Sequence, residues 1–195
     1  MESAIKSAVI DGDLEAFERA LAGGDDVHAG DESALSFAIS LGRVSMAKCL
    51  IERGADIHAR GGTFIFVAIY DCKPELVDLL LKAGARAGYD RFSTSVPEAA
   101  AECGSGLILS RVLQNFRCDF DAIAPSFVAK AIKDAPFEVF DVFLDWGYPM
   151  EHELIRRALS ENPAASAHYE MRRMKAEIGN TQDNSLKSVL SRTRI

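Results

Sequence analysis

Gly24-Asp25-Asp26-Val27-His28-Ala29 recurs as Gly54-Ala55-Asp56-Ile57-His58-Ala59, 30 residues on (54 − 24). Gly84-Ala85-Arg86-Ala87 follows at the same interval (84 − 54). The segments before each copy keep the step, with Ala8, Ala38 and Ala68 in one phase and Ser3, Ser33 and Thr63 in another. A fixed period in this range is the signature of one supersecondary unit stacked several times. Such a stack has no deep pocket by default and presents a long surface instead.

Residues 32 to 60 show what the unit is. Ala34, Leu35, Phe37, Ala38 and Ile39 form a short apolar segment that ends at Leu41-Gly42, where a glycine can take the left-handed conformation that stops a helix. Val44, Ala47, Leu50 and Ile51 then mark one stripe of a second helix, which Gly54 terminates. The glycine-rich stretch Ala55 to Gly62 reads as a turn or hairpin. The same reading fits residues 3 to 29, with Gly12 at the turn and Phe17, Ala20 and Leu21 on the second helix. It fits 63 to 87, with Cys72-Lys73 at the turn and Pro74 at the start of the second helix, where a missing N–H costs nothing. Helices this short need stacked neighbours to be stable.

These segments resemble the ankyrin repeat family. The family's unit opens on Thr-Pro-Leu-His-x-Ala, has a mid-unit Gly and a Leu-Leu pair, and ends on Gly-Ala-Asp-x-Asn. Ser33-Ala34-Leu35-Ser36-Phe37-Ala38, Gly42, Leu50-Ile51 and Gly54-Ala55-Asp56-Ile57-His58 stand at those places. Thr63 to Ala68, Leu80-Leu81 and Gly84-Ala85 make a third unit. Ser95 to Ala101, Gly104 and Val112-Leu113 make a fourth, and Ser126 to Ala131, Phe143-Leu144 and Gly147 a fifth. The step lengthens to 32 (104 − 72) and then 31 (135 − 104), which places insertions near 88 to 94 and 116 to 124. The chain departs from the family in lacking the opening Thr-Pro and the His, whose position Ser36, Phe66 and Glu98 occupy. The resemblance implies an all-α helix-turn-helix solenoid with short fingers, in units of about 1–30, 31–60, 61–90, 91–122 and 123–150. A helical cap over 151–179 follows, polar on one side through Glu170, Arg172, Arg173, Lys175 and Glu177. Residues 180–195 read as a polar linker leading to a short amphipathic helix behind Ser185.

The chain's 195 residues carry a formal charge of −7, which argues against general nucleic-acid binding, since that needs a basic face. No apolar run approaches a membrane span, and the N-terminus does not read as a signal peptide. Cys49, Cys72, Cys103 and Cys118 have no paired spacing of the kind zinc sites use, so they read as reduced thiols of a cytoplasmic protein. No cofactor and no metal are expected.

The residues that most invite a chemical reading also have structural roles. His28 and His58 stand where the family has a polar residue that bonds the turn backbone. Asp13 precedes Leu14 as a helix N-cap. Asp25, Asp26, Asp31 and Glu32 read as solvated loop charge, and His152 and His168 as surface or cap residues. Gly23-Gly24 and Gly61-Gly62 lack the Gly-Lys-Ser/Thr of a phosphate loop, and Gly104-Ser105-Gly106 is a helix–helix turn. No nucleophile motif or carboxylate pair emerges, so the chain reads as non-enzymatic.

A partner-binding surface is the remaining function class. The resemblance implies that first-helix ends and finger tips face a concave groove, which nominates Ser40, Leu41, Arg53, Arg60, Tyr70, Asp71, Glu102, Cys103, Lys133 and Asp134. Tyr89, Arg91 and Phe92 in an enlarged loop, and Trp146 at the end of a second helix, add side chains that often carry interface energy. The expected job is binding one protein partner, by a chain monomeric on its own. The alternative is a small inhibitor of the immunity or anti-defence kind, whose acidic first loop blocks a basic active site.

Overall fold

The computed structural model describes residues 3–86, 94–116 and 123–192, with side chains as far as 178. Its first helices are α1 (Ala4–Asp11), α3 (Ala29–Ser40), α6 (Phe64–Tyr70), α8 (Val96–Glu102), α10 (Pro125–Asp134) and α12 (Glu153–Glu161). The second helices are α2 (Leu14–Ala22), α4 (Val44–Glu52), α7 (Pro74–Lys82), α9 (Gly106–Phe116), α11 (Phe137–Trp146) and α13 (Pro163–Arg192), and α5 (Ala59–Gly62) is a one-turn piece before α6. No β-strand is present among the described residues. First helices pack on first helices, α1 on α3, α3 on α6, α6 on α8, α8 on α10 and α10 on α12. Second helices form the other layer, α4 on α7, α7 on α9 and α9 on α11.

An alanine column explains how the first helices approach one another. Ala8, Ala38, Ala68, Ala100, Ala131 and Ala158 hold the same place in successive units, and all are buried. A side chain of one carbon lets neighbouring helices close up without leaving a void. Leu35, Leu50, Leu76 and Leu80 fill the space between the layers and are fully enclosed. Burial of each such side chain contributes about 1.5–3 kcal/mol. Val44, expected on the buried stripe of α4, is instead partly exposed, and Met46 takes the buried place.

The caps follow the residues. The Asp13 carboxylate accepts from the Ala16 N–H at 2.9 Å, and Ser95 with Glu98 forms a full capping box on α8. Gly12 and Gly42 close their first helices at φ 73° and 72°. Cys72 holds the equivalent place at φ 50°, a conformation that strains any residue with a Cβ.

The two described fingers contain no hairpin. They are left-handed turns, Gly30, Asp31 and Glu32 at φ 66°, 56° and 57°, then Arg60, Gly61 and Gly62 at 55°, 71° and 75°. Three consecutive left-handed residues reverse the chain in less length than a two-stranded finger requires, which is how the unit shortens to 30 residues.

Three expectations are corrected here. Glu32 is not solvated loop charge: it is 4% exposed, with one carboxylate oxygen 2.5 Å from His28 Nδ1. Among the described residues no bond joins either histidine ring to the turn backbone, and the His28 ring meets the Glu32 carboxylate. The carboxylates of Asp26 and Asp56 instead accept from the backbone N–H groups of His28 and His58, at 2.9 and 2.8 Å. At the other end, α13 runs unbroken through 180–185, so the linker and the Ser185 cap expected there are not formed.

Candidate partner-binding face

The first-helix layer presents its helix ends in register. Ile10, Ser40 and Tyr70 are 30 residues apart, and all three are exposed. Glu102 and Lys133 continue the row in α8 and α10, both exposed. Contacts between units show that these ends are neighbours. Lys73 Nζ donates to the carbonyls of Ile39 and Ser40 and pairs with Asp71 at 2.8 Å. Lys130 pairs with Glu102 at 2.8 Å, and Lys133 with Glu161 at 2.5 Å. Among the nominated residues, Ser40, Leu41, Tyr70, Asp71, Glu102, Cys103, Lys133 and Asp134 therefore come together along one face.

That face changes character along its length. In the first three units it exposes Ile10 (39%), Phe37 (38%), Leu41 (46%) and Tyr70 (45%). Lys6 lies over the Phe37 ring at 5.2 Å, which sets the Lys6–Ile10 side of α1 beside the Phe37–Leu41 side of α3. Phe37 and Ile10 were legible in the sequence as apolar, but their 3.6-residue phase did not separate an exposed position from a core one. In the later units the face is laced with ion pairs. Lys130 has a raised pKa because Glu102 accepts its hydrogen bond and lies close in charge. Glu161 is held down to about 2, first by Lys133 and then by Arg157. A cleft of about 310 Å³ lies between α10 and α12, lined by Lys130, Lys133, Leu154 and Arg157 among others.

The other nominated residues are elsewhere. Arg60 is in the second finger, where its guanidinium donates to the Asp31 carbonyl at 3.1 Å and the Ser36 hydroxyl at 3.3 Å, tying one finger to the previous unit. Arg53 and Trp146 end second helices, α4 and α11, and so belong to the opposite layer. Trp146 borders a cleft of about 330 Å³ with Ser110, Leu113, Gln114, Val142 and Asp145, and lies 6.0 Å from the Tyr148 ring. Tyr89, Arg91 and Phe92 fall outside the described residues.

The isolated histidines have structural partners. His152 caps α12, its Nδ1 accepting from the Leu154 N–H at 3.2 Å. His168 Nε2 meets Asp141 at 2.7 Å, and its ring stacks on Phe137 at 5.1 Å. Arg172 adds ion pairs to Asp141 and Asp145, so α13 is fastened to α11 by polar contacts. Among the described residues, no group of three His, Cys, Asp or Glu side chains is placed to hold a metal. None of the described helices is long and apolar enough to cross a membrane.

Comparison with known proteins agrees with this architecture. The family description "Ankyrin repeats (3 copies)" matches residues 5–90. The crystal structure of the human ASB11 ankyrin repeat domain is similar at a TM-score of 0.55 and 21% identity, over 77% of this chain and 86% of that one. No functionally curated protein matches the sequence.

Proposed function

Residues 5–90 are ankyrin repeats and the chain carries the ankyrin-repeat fold; from that premise we propose that it is a non-enzymatic, cytoplasmic module that binds one protein partner through its concave groove and fingers. Ankyrin repeats generally mediate protein–protein interaction. The observation that carries the proposal for this chain is the row of exposed apolar side chains, Ile10, Phe37, Leu41 and Tyr70, on three consecutive first helices. Scattered apolar residues on a surface need no explanation, but a contiguous row on one face marks a contact site. Tyr70 is the anchor, since a large amphipathic ring often contributes 2 kcal/mol or more when a partner covers it. Asp71, Glu102, Lys133 and Asp134 set the polar rim, where charge tunes association rate more than affinity.

Arg60 also belongs to this reading, through its place on the finger. Arg53 and Trp146, which end second helices, enter only as candidates, as do Tyr89, Arg91 and Phe92 of the insertion expected near 88 to 94. The inhibitor alternative rests on the acidic first loop. Burial of Glu32 removes one of that loop's four carboxylates from contact, which favours the general interaction module.

The test begins with capture of the partner and its purification. Tyr70→Ala should then weaken binding by about tenfold or more while leaving the thermal midpoint nearly unchanged. Lys48→Ala and Glu52→Ala, an exposed pair on α4, should leave binding intact. Loss of binding in the α4 variants with Tyr70→Ala unaffected would move the contact to the second-helix layer and end this assignment.

A further inference from the structure

We propose that Cys72 and Cys103 are a redox-modifiable pair that closes into a disulfide joining the third and fourth units. The two residues come from successive rungs of the stack. Cys72 is the turn residue after α6, and Cys103 caps the C-terminus of α8. The packing of α6 on α8 brings them together, and Cys72 Sγ lies 3.3 Å from the Cys103 carbonyl oxygen. Cys72 also lies close enough to Cys103 to act on its ionisation through charge and hydrogen bonding. Both cysteines are free, Cys72 exposed and Cys103 half-buried. The left-handed backbone at Cys72 is otherwise a glycine conformation, so a side chain is held there at a cost in strain.

Their environments set the order of events. Cys103 donates to the Ala100 carbonyl at 3.2 Å, and burial pushes its thiol up to about 11. The exposed Cys72 is therefore the thiol that reacts first, because the thiolate is the nucleophile and access limits the rate. Cys72 releases its proton to solvent and its thiolate attacks one sulfur of a small disulfide such as oxidised glutathione. The glutathione S–S bond breaks, and one glutathione leaves as thiolate and is protonated. Cys103 then gives up its proton and attacks the Cys72 sulfur of the mixed disulfide, expelling the second glutathione. Two protein thiols are oxidised by two electrons, and one glutathione disulfide is reduced to two thiols. The bridge encloses a loop of about 30 residues, a length at which chain-entropy arguments expect clear stabilisation.

This inference is independent of partner binding. The full-length chain is incubated with oxidised glutathione, free thiols are then blocked by alkylation, and the protein is digested and mapped by mass spectrometry. The expected product is a peptide pair cross-linked through Cys72 and Cys103, with Cys49 and Cys118 alkylated. The oxidised chain should melt several degrees higher than the reduced one. In Cys103→Ser and Cys103→Ala, Cys72 should stop at the glutathione adduct. Persistence of that adduct in the wild-type chain, or Cys103 recovered as alkylated thiol under the same treatment, overturns the proposal.

Discussion

The Lys73 ammonium donates to the main-chain oxygen of Ser40 at 2.5 Å, across the boundary between two units. It also reaches the carbonyl of Ile39 at 3.2 Å. Both carbonyls belong to the last turn of α3, where the helix dipole presents negative charge, and that of Ile39 also accepts from the Gly42 N–H at 3.1 Å. The same position recurs down the stack. Arg43 lies over the Gly12 turn, Pro136 abuts Gly104, and Asn162 donates to the Ile132 carbonyl at 2.8 Å. The residue that starts each of these second helices thus leans on the first helix, or the turn, of the unit before it.

Lys73→Ala should therefore destabilise the chain by about 1–3 kcal/mol, the range for hydrogen bonds to a charged donor. Lys48→Ala, whose partner Glu52 is equally exposed, should cost less than about 1 kcal/mol. Urea denaturation of both variants decides it. Equal losses would show that the cross-unit cap contributes nothing.

Cys72→Gly should stabilise the reduced protein. The substitution removes a Cβ from a φ of 50°, where the strain of an L-residue is on the order of 1–2 kcal/mol. It also forfeits the weak thiol hydrogen bond to Cys103 and adds backbone freedom to the unfolded chain. The expected net is about 1 kcal/mol in favour of glycine, read as a higher urea midpoint. A fall in the midpoint would mean that the thiol contact outweighs the strain.

The repeat was legible because its signals are local. Gly12, Gly42 and Gly147 stop helices, Asp13 and Pro74 start them, and the alanine phase at 8, 38 and 68 sets the stacking. The proposed contact face was legible only in part. Ser40, Leu41, Tyr70 and Asp71 were found because they end first helices, whereas Ile10 and Phe37 resemble core residues until their neighbours are placed. Glu32 was misread for the opposite reason. A carboxylate in a glycine-rich loop is usually wet, and its burial depends on a left-handed turn and a pairing with His28 that composition does not encode. Arg53 and Trp146 end second helices, as the turn signals at Gly54 and Gly147 indicate, and so lie in a different layer from Tyr70.

The His28–Glu32 pair should make stability depend on pH near neutrality. The His28 pKa is raised, first by its hydrogen bond with Glu32 and then by that carboxylate's charge, with Asp26 and Asp56 adding to it. A group whose folded pKa lies above its unfolded value stabilises most below the unfolded value, about 6.5. That contribution fades as the pH rises through the folded value. The urea midpoint of the wild-type chain should thus fall between about pH 6 and pH 8, and His28→Gln should flatten that fall. Parallel slopes for the two proteins would rule out the pair as the source.

Gly106→Ala sets two effects against each other. Gly106 is the first residue of α9, and alanine is the better helix former by up to about 1 kcal/mol. Here, however, an added Cβ would come 2.8 Å from the Glu138 carbonyl oxygen and 3.0 Å from its carbon. Those are backbone atoms at the start of α11, so the contact is relieved only by moving one helix against the other. Overpacking of that kind costs about 1–3 kcal/mol, which exceeds the propensity gain. The variant should be less stable by roughly 1–2 kcal/mol on that balance, measured by urea denaturation with helix content followed by circular dichroism. A more stable Gly106→Ala protein would show that α9 and α11 do not approach through this glycine.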